Sequence, residues 1–255
     1  MKSDITASQS PTPRTNLTDG VTWVWLDLDD TLIDFHANSR AAHRIIYEEC
    51  SLHRFSPTPG EWIEAYEEHN HKLWDRYSRQ EITQDFLRVD RFFTPLHTAW
   101  SGTDDELVDF CRELDTIYLT RLAEQKTLVP GAIELLRQLR ARKYNIGVLS
   151  NGFTAVQHAK LHNTGLDRMV DLMVLSDDIG VNKPDIRLYR HAMERAGAPE
   201  PSAHLMIGDN PDTDIRGAVD AGWRAIHLDR NASGAPKWLG THLLTPDLPS
   251  IAGLF

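Results

Sequence analysis

Apolar residues along this chain fall into two patterns, and the change from one to the other outlines the fold. Val21-Thr22-Trp23-Val24-Trp25-Leu26 is an apolar, β-branched and aromatic run, long enough for one buried strand. From about residue 37 to 126 no strand pattern follows. Ala41, Ala42, Ile45, Ile46 and Cys50 recur at helical spacing. Pro57-Thr58-Pro59-Gly60 breaks the chain, with Thr58 placed as an N-cap ahead of Pro59. Trp62, Ile63, Tyr66 and Leu73 then share one helical face, and further helices are predicted over about 82–93 and 104–123.

Beyond Pro130-Gly131 short apolar runs alternate with helical periodicity. Strands are predicted over 145–149, 172–175, 204–207, 224–228 and 243–244, with helices over 133–139, 154–162, 186–196 and 215–221 between them. Strands of this kind belong to βαβ units and a parallel sheet covered on both faces. The expected architecture is therefore α/β: a doubly wound, Rossmann-like core of residues 21–36 and 127–255. An all-helical cap over 37–126 is inserted in it, its boundary falling within 105–126. An insertion leaving the C-terminal end of the first strand lies over the crevice where such sheets bind ligands, the position of a lid.

Composition narrows the classes of function. The chain has 255 residues, 41% apolar and 25% charged, as expected of a soluble globular protein. A formal net charge of −10 argues against binding a nucleic acid polymer. It leaves anionic small molecules open, because a bound divalent cation reverses the sign locally. Cys50 and Cys111 imply no disulfide framework and suit a reducing compartment. Residues 1–20 are polar and rich in Ser, Thr and Pro, without the apolar stretch of a signal peptide or membrane span, so they read as a flexible tail. A soluble, cytoplasmic protein is the default expectation.

The first strand ends in Asp27, Asp29 and Asp30. Buried carboxylates need partners, because desolvating the charge is costly. At the mouth of a parallel sheet a hard cation such as Mg²⁺ is the natural one. In isolation the same acids would read as solvated turn residues. Three more polar segments fall where later strands end or in the loops that follow: Ser150-Asn151-Gly152, Lys183-Pro184-Asp185, and Gly208-Asp209-Asn210-Pro211-Asp212-Thr213-Asp214. Each is short and alone would pass for a turn, a cap or a solvated lysine.

Together and in this order, the four segments resemble the motifs of the haloacid dehalogenase superfamily, over essentially the whole chain after the tail. The resemblance implies a Mg²⁺-dependent phosphatase. Asp27 would be the nucleophile that forms an aspartyl-phosphate. Asp29 would protonate the leaving oxygen and then activate the hydrolytic water, a role needing an environment that keeps it protonated part of the time. Ser150 and the backbone amides around Asn151-Gly152 would bind the phosphoryl oxygens, and Lys183 would neutralise them and orient Asp27. Asp27, Asp209 and the backbone carbonyl of Asp29 would hold Mg²⁺, with Asp214 behind them on a metal-bound water or Lys183. Asp212 reads as a loop or cap residue and Asp30 as a support for the backbone. The acid at position 29 separates phosphatases from the dehalogenase branch, which lacks it. The helical insertion resembles the family's first cap type.

Asp30-Thr31-Leu32-Ile33-Asp34-Phe35, Ser150-Asn151-Gly152-Phe153-Thr154 and the long 208–214 loop are similar to the 5′-nucleotidase branch, whose members hydrolyse nucleoside 5′-monophosphates, often pyrimidine ones. Leu26 departs from that pattern, where phenylalanine commonly precedes the nucleophile. The expected partner is thus a small phosphorylated metabolite, a nucleoside monophosphate before others. Sugar-phosphate and phosphoglycolate phosphatases and phosphoglucomutases share the core and remain alternatives, as does a catalytically silent helical interaction module. Phe35, Trp62, Tyr66, Trp74, Tyr77, Phe86, Phe92 and Phe93 precede the second motif. They either fill the cap's own core or, for one or two of them, stack on a base. His36, His69 and His71 read as surface or structural residues with substrate contact as the alternative.

Overall fold

The structure, a computed structural model, describes residues 17–255. Most of the expected tail, residues 1–16, lies outside the described residues. Residues 17–20 form a turn whose Leu17 and Asp19 carbonyls accept hydrogen bonds from the Arg224 guanidinium.

The first strand, β1 (Trp23–Leu26), is followed by four helices: α1 (Phe35–Glu49), α2 (Pro59–Ser78), α3 (Gln84–His97) and α4 (Asp104–Ala123). The rest alternates as α5 (Ala132–Ala141), β2 (Asn145–Ser150), α6 (Thr154–Thr164), β3 (Leu172–Leu175), α7 (Ile186–Ala196), β4 (His204–Gly208), α8 (Arg216–Asp220) and β5 (Arg224–Leu228). It closes with β6 (Lys237–Trp238), β7 (Leu243–Thr245) and α9 (Leu248–Ala252). The seven strands lie in the order β3-β2-β1-β4-β5-β7-β6, all parallel except for β6, which runs antiparallel to β7.

β1 sits at the centre, with Trp23–Leu26 in register with Asn145–Val148 on one side and His204–Ile207 on the other. The chain builds outward from β1 through β2 to β3, then crosses to β4 on the opposite side. The C-terminal ends of β1 and β4 therefore flank the crevice where strand order reverses. Successive residues serve opposite faces. Val24, Leu26, Val148, Leu205 and Ile207 pack with α5, α6 and α9 residues such as Leu136, Leu161 and Ile251. Trp25, Leu149 and Met206 pack with Leu188, Tyr189 and Ala218 of α7 and α8. Trp25 also donates from its indole to His204 Nδ1 at 2.9 Å. Its ring lies across Gly147, where an added Cβ would come within 2.3 Å of the ring, so the neighbouring strand needs glycine there.

Helices α1–α4 enclose a core of their own, built on Ile46, Trp62, Tyr66, Phe92, Leu107, Leu114 and Tyr118. Thr58, Thr83 and Thr103 cap α2, α3 and α4, the last with a reciprocal Glu106 bond. α1 begins at Phe35 because Asp34 caps it, accepting from the Ala37 N–H at 3.0 Å. Among the described residues no helix is long and apolar enough to cross a membrane.

Candidate active site

β1 ends at Leu26, and the next residue turns its carboxylate into the crevice. Lys183, only 2% exposed, reaches it from the loop before α7. The ammonium donates to Asp27 Oδ1 at 2.5 Å, Asp214 Oδ1 at 2.6 Å and the Leu149 carbonyl at 2.9 Å. All three donors of the lysine are thereby used. Burial alone would lower the Lys183 pKa, but the Asp214 and Asp27 charges outweigh it and hold it above the ordinary lysine value. Asp27 is pushed well above the usual carboxylate range, first by burial and then by the Asp214 and Asp209 charges, with Lys183 opposing.

Oxygens of Asp27, Asp209 and Asp214 lie within 4.8 Å of one another. Asp214 is committed on both sides, to Lys183 and to the Asn210 N–H at 3.1 Å. Asp209 has a weaker partner, the Thr31 hydroxyl at 3.0 Å. Burial, followed by the charges of Asp214 and Asp30, pushes its pKa up to about 7. One lysine for three converging carboxylates leaves excess negative charge on oxygen donors, a set that fits a hard divalent cation. Asp27 and Asp209 are the acids whose oxygens are left over to bind one.

Asp29 is held by residues that the sequence reading did not single out. Lys160 Nζ donates to both its carboxylate oxygens, at 2.8 and 3.0 Å, and Gln157 Nε2 donates to Oδ2 at 2.9 Å. Both side chains come from α6, three residues apart. An ammonium and an amide thus face the acid expected to need a proton-retaining environment. The same Gln157 amide donates to Ser150 Oγ at 2.8 Å. Asn151 is brought to the site, but its side chain is spent on the Lys183 backbone, accepting from N–H at 2.7 Å and donating to the carbonyl at 3.1 Å. Only its main chain is left for a phosphate. Asp30 adopts a left-handed φ of 60° and accepts from the His36 N–H and from Arg230, bracing the turn into α1. Asp212 is exposed and pairs with Arg216 at 3.5 Å.

These acids open into a cavity of about 600 Å³ between the sheet and the helical block. Phe35, Trp74, Tyr118, Leu119 and Phe153 form its apolar wall, and His71, Asp75 and Arg79 its polar one. Trp62, Tyr66 and Phe92 are buried in the block's core, whereas Trp74 faces the cavity and stacks on Phe153 at 5.4 Å. Phe86 is exposed. His69 pairs with Asp90 at 2.9 Å, and His36 lies 3.7 Å from Glu67. Arg91 also lines the cavity, and its largely buried side chain pairs with the buried Asp115.

Residues 21–222 match the haloacid dehalogenase-like hydrolase family. The pyrimidine 5′-nucleotidase YjjG of Escherichia coli is 31% identical over 221 residues, covering 85% of this chain and 92% of that protein. A glyceraldehyde 3-phosphate phosphatase of Methanothermobacter thermautotrophicus is 28% identical, covering 84% and 88%. Among solved structures, magnesium-bound HAD-hydrolase YfnB of Bacillus subtilis superposes with a TM-score of 0.79 at 24% identity, covering 92% of this chain and 98% of that one.

Proposed function

The chain belongs to the haloacid dehalogenase-like hydrolases and is a hydrolase of phosphoric monoesters, and we propose that it cleaves a nucleoside 5′-monophosphate with the help of Mg²⁺. The observation that carries this reading is Asp27, held at one oxygen by Lys183 and left free at the other, at the floor of a cavity with an aromatic wall. A volume of about 600 Å³ lies within the usual range for small-molecule sites. Trp74, Phe153 and Phe35 offer flat apolar faces to a base. The E. coli relative's name points the same way.

In this mechanism Asp27 Oδ2 attacks phosphorus as the bond to the ester oxygen breaks, and Asp29 supplies the proton that the departing alkoxide needs. Lys183 opposes the effect of burial on Asp27 and holds one of its oxygens in place, leaving the other towards phosphorus. Ser150 and the Asn151 main chain hold phosphoryl oxygens. Asp29, now ionised, takes a proton from water as that water attacks the aspartyl-phosphate, which returns Asp27 and releases phosphate. Asp27, Asp209 and the Asp29 carbonyl would hold Mg²⁺, which supplies charge neutralisation for the phosphoryl group when bound. A second reading, a sugar-phosphate substrate, is favoured by the polar wall of Asp75, Ser78 and Arg79 and by the archaeal relative's name.

A panel of mononucleotides, sugar phosphates and p-nitrophenyl phosphate, each with Mg²⁺ and with EDTA, decides between them. Highest kcat/KM on a mononucleotide, lost in EDTA, is expected. A clear preference for a triose or hexose phosphate would replace the nucleotide reading. Full activity in EDTA would remove the metal.

A further inference from the structure

We propose that Lys160 and Gln157 are the positioning residues of proton transfer, holding the Asp29 carboxylate in fixed relation to Ser150 at the phosphate site. The proposal rests on the phosphatase reading above and adds two residues to it. Asp29 lies in the turn beyond β1, where a single bridge to Ile33 holds its main chain, but its side chain is 27% exposed and the backbone alone does not fix its carboxylate. α6 supplies the constraint. Lys160 grips both carboxylate oxygens, and Gln157 adds a bond to Oδ2, three bonds to one rigid helix.

Gln157 also joins two roles. One NH₂ group donates to both Asp29 and Ser150, so the proton donor and the phosphate-binding hydroxyl are referenced to a single side chain. The fit extends to the second motif: a Cβ on Gly152 would fall 2.2 Å from the Gln157 amide nitrogen. Lys160 is buried as well, its ammonium 5.0 Å from the Phe35 ring centroid at the entry to α1. A lysine and a glutamine buried beside one carboxylate limit its rotamers, and placement of a catalytic group within about 1 Å can be worth on the order of 100-fold in rate.

The leaving group separates this role from simple charge compensation. An alkoxide needs the Asp29 proton, whereas p-nitrophenolate departs without one. kcat/KM includes only steps up to loss of the leaving group, so it isolates that transfer. Lys160→Met and Gln157→Leu are expected to lower kcat/KM by about 10–100-fold for the alkyl phosphate that the wild type cleaves fastest. For p-nitrophenyl phosphate, which draws little on general acid catalysis, the loss should stay below about threefold in Lys160→Met, and in Gln157→Leu it should remain several-fold smaller than the alkyl loss, the common part coming from Ser150. Lys160→Arg should recover most of the alkyl activity. Equal losses on both substrates, or no loss on the alkyl one, would overturn the assignment. Each variant's melting temperature is read alongside, and Gln157→Leu carries the test if Lys160→Met does not fold. Failure of the phosphatase reading looks different: the wild type itself would cleave neither substrate.

Discussion

Asp27 and Asp209 show how one site is held together by charges that would otherwise repel. The Lys183 ammonium touches Asp27 and Asp214, so replacing it leaves two buried carboxylates without a cation. Lys183→Met is expected to abolish turnover and to destabilise the fold by about 3–5 kcal/mol, as for other buried pairs that lose one partner; a denaturant titration gives the figure. Asp27→Asn should also end turnover, while circular dichroism shows the fold retained. Asp209 makes a pH prediction. Its pKa of about 7 in the folded protein lies above the ordinary carboxylate value, so the folded state binds more protons than the unfolded one. The stability it contributes is therefore full below pH about 4 and lost as pH rises towards 7. Mg²⁺ binds the ionised form, so it should raise the melting temperature more at pH 8 than at pH 5.5. Asp209→Asn should raise the metal-free melting temperature at pH 8 and remove the Mg²⁺ increment. An equal Mg²⁺ increment at both pH values would count against Asp209 as the ligand.

Two glycines, one within β2 and one just beyond its end, show how elements constrain the site differently. At Gly147 a methyl group would strike the Trp25 ring, which is wholly buried and hydrogen-bonded to His204. Gly147→Ala should cost about 1–3 kcal/mol or more, as overpacking does in a filled core, read as a lower denaturant midpoint. At Gly152 the methyl would meet the buried Gln157 side chain from its amide nitrogen at 2.2 Å back to Cγ at 2.7 Å, so Gln157 would have to give up its bonds to Asp29 and Ser150. Gly152→Ala should lose activity on alkyl phosphates, and its melting temperature should fall as those buried bonds are broken. Strand-end chemistry was legible beforehand because carboxylates directly after an apolar run break a pattern. Asp27 stands out that way, whereas Lys183, Asp209 and Asp214 stand out only through the order of their motifs along the chain; the structure brings all four together. Gln157 and Lys160 break no pattern. Polar residues three apart on a short helix read as its solvated face, and only the position of α6 against β1 turns that face inward. Asn151 was placed at the site, but its side-chain partners, both atoms of a residue 32 positions away, had no sequence signal. β6 and α9 were missed because two and five residues are too few to establish a period.

Over the whole molecule Phe153 is one of the places where the helical block meets the sheet side, beside the Asn163 bond to the end of α4 and the Asn182 bond to the end of α2. Phe153 belongs to the sheet side, two positions after Asn151, yet it packs with Leu73 and Leu87 from α2 and α3 and stacks on Trp74. Arg88 and Arg91 approach its ring at 5.9 Å. Withdrawing such a side chain into water costs about 1.5–3 kcal/mol, so separation of block and sheet carries at least that penalty. Phe153→Ala should loosen the join, visible as a larger radius of gyration in solution scattering, and should raise KM as the aromatic wall is lost. An unchanged radius would mean that other contacts hold the two parts. The loop proposed to hold phosphate and the ring that packs against the block are neighbours on one stretch of chain. On the proposed mechanism phosphate departure and opening draw on the same movement, and kcat is then expected to slow as sucrose thickens the solvent, with friction rather than bond cleavage setting the pace; a kcat independent of viscosity would separate the two.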